Sequence, residues 1–246
     1  PVRHRLVRPG LALQGAGAGA LGLAGALCLF GDRSVGGGWT SDVAPAVGID
    51  PLTGAFLCIL ALVAVPAAAY AWGYVPAGRA PRAVAALGGG FQLAMAGVLT
   101  ARDPVTFLAA WELMSLLPAA AILLANPDPD GRRAVFQYLG ITHVGGAGVW
   151  VAVLVLAGEG ALGDPAALAT AGGATVALVA ASALVGFGTK AGLAPLHAWL
   201  PRAHPIAPSH LSALMSGAMT KVAVYGLVRV LVQWMPEPPT WCGPVL

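Results

Sequence analysis

The chain has 246 residues, is 58% hydrophobic, only 9% charged, and carries a formal net charge of +3; its mean hydropathy is +0.79. A composition this apolar excludes a soluble domain and implies an all-α polytopic membrane protein whose solvent is the lipid bilayer, with no nucleic-acid partner. The three cysteines, Cys28, Cys58 and Cys242, are scattered without metal-ligand spacing and read as small buried hydrophobes, so neither a metal site nor a cofactor is expected.

Seven apolar segments are expected, at about 11–30, 51–74, 83–101, 104–125, 135–157, 173–200 and 209–233. Each has the roughly 20 residues needed to cross the hydrocarbon layer. The sixth is longer and interrupted. Arg3, Arg5 and Arg8 ahead of the first apolar run mimic a signal peptide, but six further spans favour a retained helix. Leu27 directly before Cys28 argues against a lipoprotein cleavage site, which needs a small residue there. Because the first residue is Pro1, a fragment or a processed chain is expected. The connections carry Gly, Pro and Asp breakers, as in "GDRSVGGGW", "NPDPDGRR" and "PRAHPIAP", and none is long enough for a soluble domain.

Loop arginines set the orientation. Arg3, Arg5, Arg8, Arg79, Arg82, Arg132, Arg133 and Arg202 fall on one side; Arg33 and Arg102, with Arg229 near that end of the last span, fall on the other. Asp32, Asp42, Asp50, Asp103, Glu159 and Asp164 lean toward the arginine-poor side. This bias puts the N-terminus in the cytoplasm of a bacterial inner membrane. Trp39, Trp72, Trp199 and Trp234 are expected as interface anchors, and Gly145, Gly146 and Gly148 as sites of close helix packing.

Three charges fall near mid-membrane: Glu112 in the fourth span, Lys190 in the sixth and Lys221 in the seventh. Each costs about 2.5–3.5 kcal/mol at a helix centre, so such residues face the protein interior and mark function. The chain has eleven arginines and two lysines, and both lysines are in this set. Arginine keeps its proton in proteins, whereas a buried lysine can release it near neutral pH. A site that must hold and release a proton therefore needs lysine. The bland alternative is a static Glu112–Lys190 pair with Lys221 reaching for the interface.

Pro195 lies just after Lys190. It cannot donate a backbone hydrogen bond, so a carbonyl near Ala191 should lose its partner and invite water. His143 in mid-span, His197 after the break and His210 at the start of the seventh span are candidate relay groups, with buried structural histidines as the alternative. Ser209 is the expected N-cap of that span.

At these residues the sequence resembles a known family. "GFGTKAGLAPLHAWLPRAHPIAPSHLSALMSGAMTKVAVYGLVR" (186–229) is similar to the signature of the antiporter-like proton-translocating subunits. These comprise the large membrane subunits of respiratory complex I, the Mrp-type sodium/proton antiporters and the membrane-bound hydrogenases. "PSHLSALMSG" looks most like the hydrogenase and formate hydrogenlyase branch, "WELMSLLP" (111–118) resembles the family's glutamate helix, and "GIDPLTGAF" (48–56) the start of an earlier one.

The resemblance implies that Glu112 pairs with the broken-helix lysine, Lys190, and that Lys221 passes the proton toward the centre of the subunit. It implies a division into N-terminal helices and loops (1–82), the first of two inverted five-helix repeats (83–233) and a tail (234–246), with the second repeat lacking here. The implied function is proton translocation, with sodium a further candidate ion, as a subunit or partial subunit of a redox-driven pump such as a membrane-bound hydrogenase or an NADH–quinone oxidoreductase-like complex. Its partners would be other membrane subunits, which must carry the redox centres, since nothing in this chain ligates iron–sulfur, haem or flavin. The alternative is a non-conducting structural subunit of such a complex. A retinal protein is disfavoured by the lack of aromatics around Lys221, and an intramembrane hydrolase by the lack of a nucleophile motif.

Overall fold

The structure, a computed structural model, describes residues 7–75, 78–235 and 237–245. Arg3 and Arg5, part of the charge bias above, lie outside the described residues. Within them, seven helical segments are long and apolar enough to cross a membrane: Val7–Phe30, Pro51–Tyr74, Ala80–Thr100, Pro104–Ala125, Pro129–Gly158, Gly173–Ala203 and Ser209–Gln233. The first five are α1 (Val7–Phe30), α2 (Pro51–Tyr74), α3 (Arg79–Thr100), α4 (Pro104–Ala125) and α5 (Pro129–Gly158). A two-stranded antiparallel ribbon, β1 (Val35–Gly36) with β2 (Gly48–Ile49), joins α1 to α2. A short α6 (Ala166–Thr170) precedes α7 (Gly173–Ala191).

One sequence device starts three of these helices. In "DPLT", "DPVT" and "DPDG" an aspartate is the N-cap and a proline is the first helical residue. Asp50, Asp103 and Asp128 accept hydrogen bonds from the amides of Thr53 (2.8 Å), Thr106 (2.7 Å) and Gly131 (2.7 Å). Proline suits that position because its missing N–H would have had no partner there. The cap also corrects the fifth span. It was expected from 135, after the charged "DGRR", but Asp128 starts the helix earlier and takes the charged turn into it.

The interior packs α4, α5, α7 and the last span around Trp111, Phe107, Phe187, Tyr138 and Trp199, all essentially inaccessible. Close approach of α5 and α7 depends on glycine. A Cβ on Gly148 would lie 2.5 Å from the Ser182 carbonyl, and one on Gly186 would lie 2.4 Å from the Val149 amide. Gly145 is equally tight against Thr189, whereas Gly146 meets only ordinary contacts with Trp111 and Glu112 and leaves room beside the glutamate.

The sixth span is broken, but the stop comes earlier than Pro195. α7 ends at Ala191, and Gly192 adopts a left-handed conformation (φ 89°) that returns the amides of Gly192 and Leu193 to the Gly188 carbonyl. A 3-10 turn (Leu196–Trp199) and α8 (Leu200–Ala203) complete the span. The last span runs through α9 (Ser209–Leu214), a π turn (Met215–Met219), α10 (Thr220–Val228) and a second π turn (Arg229–Gln233); α11 (Cys242–Val245) lies in the tail. Pro208 is the N-cap of α9, so Ser209 is its first helical residue rather than its cap.

Candidate functional site

Lys190 is the penultimate residue of α7, where the carbonyl end of the helix dipole favours a cation. It is 1% exposed. Its ammonium donates to Ser115 Oγ (2.5 Å) and to the Trp111 carbonyl (3.3 Å), and lies 4.0 Å from the centre of the Trp111 ring. Trp111 and Ser115 are one turn apart on α4 and so share a face. The Trp111 ring is fixed edge-to-face on Phe187 (5.1 Å) and stacked with Phe107 (6.4 Å).

The expected contact between Glu112 and Lys190 is not made: among the described residues no carboxylate lies within 4.0 Å of Lys190. Successive helical residues are about 100° apart, so Glu112 is turned well away from the direction of Trp111 and points toward α5. There its Oε1 accepts from Trp150 Nε1 (2.8 Å), and its Oε2 lies 3.3 Å from His143 Nε2. His143 Nδ1 is 2.9 Å from the Leu139 carbonyl. A carbonyl only accepts, so Nδ1 is the protonated nitrogen in that bond. A neutral imidazole of that tautomer would aim its Nε2 lone pair at the carboxylate. A further proton between Nε2 and Oε2 would turn this contact into a hydrogen bond. The pair is partly open on the outer face of α4 and α5, the side chains being 26% and 42% exposed.

Lys221 stands apart. It is exposed on the outer face of α10, and its ammonium bonds within its own span, to the Ser216 carbonyl (2.9 Å) and Thr220 Oγ1 (3.2 Å). Ser216 belongs to the π turn, a kind of helix irregularity frequent at functional sites. His197 and Pro195 are exposed beyond the break. His210 is buried beside the Tyr74 ring (6.0 Å), with neither ring nitrogen hydrogen-bonded. The structure thus brings His143 to Glu112, and leaves Lys190, Lys221, His197 and His210 as separate groups.

The break is filled rather than opened. Trp199, expected as an interface anchor, is fully buried, donates its indole N–H to the Thr189 carbonyl (2.7 Å) and packs on Tyr138 (5.3 Å). Trp234 is likewise interior, edge-on to Trp39 (4.5 Å), while Trp72 is exposed with Arg8 over its ring and fits the anchor role.

A second polar cluster, missed from sequence, lies at the arginine-poor end. Asp50 binds Arg229 Nη2 (2.6 Å) and faces Arg102 Nη2 (3.5 Å). Both guanidinium groups donate to Thr53 Oγ1 (2.9 Å each). Burial pushes the Asp50 carboxyl up, but the hydrogen bonds from Arg229 and the Thr53 amide, with the charges of Arg229 and Arg102, outweigh it and lower it to about 2. Arg102 and Arg229 were legible only as exceptions to the arginine bias; that they share one acid was not.

Seven membrane-spanning helical segments, the sixth of them broken, with Lys190 buried inside the bundle, define a multi-pass membrane protein. Residues 101–245 match the family model described as "NADH:quinone oxidoreductase/Mrp antiporter, TM", and the chain belongs to that family. It is 39% identical over 247 residues to an uncharacterized protein of Mycobacterium tuberculosis, covering 99% of this chain and 37% of the relative. It is 32% identical over 201 residues to hydrogenase-4 component B of Escherichia coli K12, covering 79% and 30%. The chain thus spans about a third of the length of such relatives. In fold it is similar to a chain of the Mrp complex from Dietzia sp., with a TM-score of 0.72 at 22% identity, covering 95% of this chain and 45% of that one.

Proposed function

We propose that this chain carries protons across a bacterial inner membrane, with its arginine-rich end in the cytoplasm, as part of a multi-subunit redox-driven pump of the hydrogenase or NADH–quinone oxidoreductase kind. One observation carries the reading. Lys190 is buried, and among the described residues its ammonium meets a hydroxyl, a carbonyl and an aromatic face but no carboxylate. An amine so held can exist charged or neutral, which is what a proton carrier requires.

Glu112 is the complementary group. In one arrangement it shares a proton with His143; turned toward α7 it would stabilise the Lys190 ammonium. Lys221 would hand the proton on. The Glu112 oxygens face two nitrogen groups, His143 Nε2 and the Trp150 N–H, rather than a set of oxygen ligands. That favours protons over sodium, a hard cation that needs oxygen ligands. The reading extends the domain division as well: 83–233 would be one antiporter-like repeat, preceded by helices 1–82 and followed by the tail 234–246.

The test is proton uptake by vesicles containing the assembled complex. Lys190→Ala and Glu112→Gln should each abolish most of it while the complex still assembles. Full uptake in both variants would leave the chain a non-conducting structural subunit.

A further inference from the structure

We propose that Arg229 and Arg102, tied by Asp50 at the arginine-poor end of the bundle, form a fixed positive barrier that keeps protons from leaking between Lys221 and that side of the membrane; the inference rests on the proton-carrying role proposed above. Arg229 follows Lys221 by eight residues on the same span. At about 1.5 Å per residue that is roughly 12 Å toward the arginine-poor end. Tyr225 lies midway. It is fully buried, its hydroxyl donates to the Leu99 carbonyl (2.8 Å), and its ring lies 4.8 Å from the Arg229 guanidinium.

The charge balance is what sets this cluster apart from a structural ion pair. Two guanidinium groups, 1% and 2% exposed, share one carboxylate. The other nearby acid, Asp103, spends its oxygens on the backbone amides of Ala46 (2.8 Å) and Thr106 (2.7 Å). The Trp39 ring faces both guanidinium groups (5.3 and 5.9 Å) and partly offsets their excess positive charge. Burying a charge is costly, and a static pair needs only one cation for one anion. Arginine cannot release its proton, so neither residue can be a carrier. A fixed guanidinium beside an ion path repels protons and cations electrostatically.

Passive proton permeability of vesicles containing the complex, measured without redox substrate, tests the barrier. Arg229→Gln should raise the leak several-fold, and Arg229→Lys, which keeps the charge, should restore tightness. Asp50→Asn loosens the same cluster but leaves both positive charges, so it should lower thermal stability without raising the leak. If Asp50→Asn and Arg229→Gln leak equally, the cluster is only a mechanical seal and the barrier is overturned; unchanged permeability in Arg229→Gln overturns it as well. Should Arg229→Gln fail to assemble, Arg102→Gln is read by the same criteria. Lys190→Ala pumping is scored separately, so failure of the barrier and failure of the proton-carrying reading give different patterns.

Discussion

The Lys190 ammonium donates to the carbonyl of Trp111, the residue immediately before Glu112, yet the lysine and the glutamate do not touch. Trp111 and Glu112 thus leave α4 on different faces, the first turned to α7 and the second to α5. A change in the Glu112 side-chain torsions, with the helices unmoved, is the smallest motion that could alter the carboxylate's separation from Lys190. The room for it is provided by Gly146, where a Cβ would sit 3.9 Å from Glu112 Oε1.

A proton shared between Glu112 and His143, as proposed above, would have a spectroscopic consequence. In Glu112→Gln the amide still accepts from Trp150 and offers an N–H to His143 Nε2, so the imidazole no longer needs a second proton. Nitrogen NMR of labelled histidine should then show His143 as the neutral ring protonated on Nδ1, where the parent shows a ring sharing a proton at Nε2 as well. Identical His143 signals in the two proteins would mean that no proton bridges the pair.

Gly192 and Pro195 divide the labour at the helix break unequally. Pro195→Ala should leave the break in place, because the chain has already left the helix three residues earlier. Gly192→Ala forces a Cβ onto a left-handed residue, at about 1–2 kcal/mol, and 2.7 Å from Leu200 Cδ1. Thermal unfolding in detergent should show the larger loss for Gly192→Ala. Hydrogen exchange over 186–193 should rise in that variant and stay near the parent value in Pro195→Ala; the reverse ranking would assign the break to proline after all.

Asp50 sets a pH window for the outer cluster. Its carboxyl is held at about 2, below the ordinary 3.8 of the unfolded chain. The unfolded state therefore takes up the proton first as pH falls. The stabilisation is fully present above about pH 4 and is lost as pH falls through about 2. Between pH 5 and 8 this cluster should contribute no pH dependence to thermal stability. Asp50→Asn should be less stable than the parent across that range, with the difference shrinking only in strong acid. A difference that already narrows between pH 7 and 5 would contradict the geometry around Asp50.

The spans, their order and the mid-membrane charges were legible because hydropathy and length are local properties of the chain. Partners were less so. Glu112 and Lys190 read as a natural pair by charge, but helix rotation decides what a side chain meets. Placing Trp111 and Ser115 on the α7 side turns Glu112 to α5, where His143 and Trp150 lie 31 and 38 residues further along the chain. Trp199 was misread for a similar reason. A tryptophan near a span end looks like an anchor, yet the Gly192 stop leaves the Thr189 carbonyl without its helical partner, and the indole satisfies it from inside. The three-membered cluster of Asp50, Arg102 and Arg229 joins residues up to 179 positions apart, which no local pattern reveals.

Lys221 poses the sharpest choice between a carrier and a fixed charge. Its ammonium is held only by the Ser216 carbonyl and the Thr220 hydroxyl, on a face that the described residues leave open. Arginine could make the same two hydrogen bonds and keep the same charge. It could not pass through a neutral state, because its pKa stays above about 12. If Lys221 hands protons onward, Lys221→Arg should block proton uptake nearly as fully as Lys221→Ala, in vesicles of the assembled complex, with assembly unchanged. If it only supplies a charge to whatever covers that face, arginine should restore uptake and alanine should not. Ser216 offers an internal control: Ser216→Ala removes a hydroxyl but keeps the carbonyl that the lysine uses, so it should leave uptake close to the parent level. Restoration by arginine would move Lys221 out of the relay and leave Lys190 and Glu112 as the groups that carry the proton.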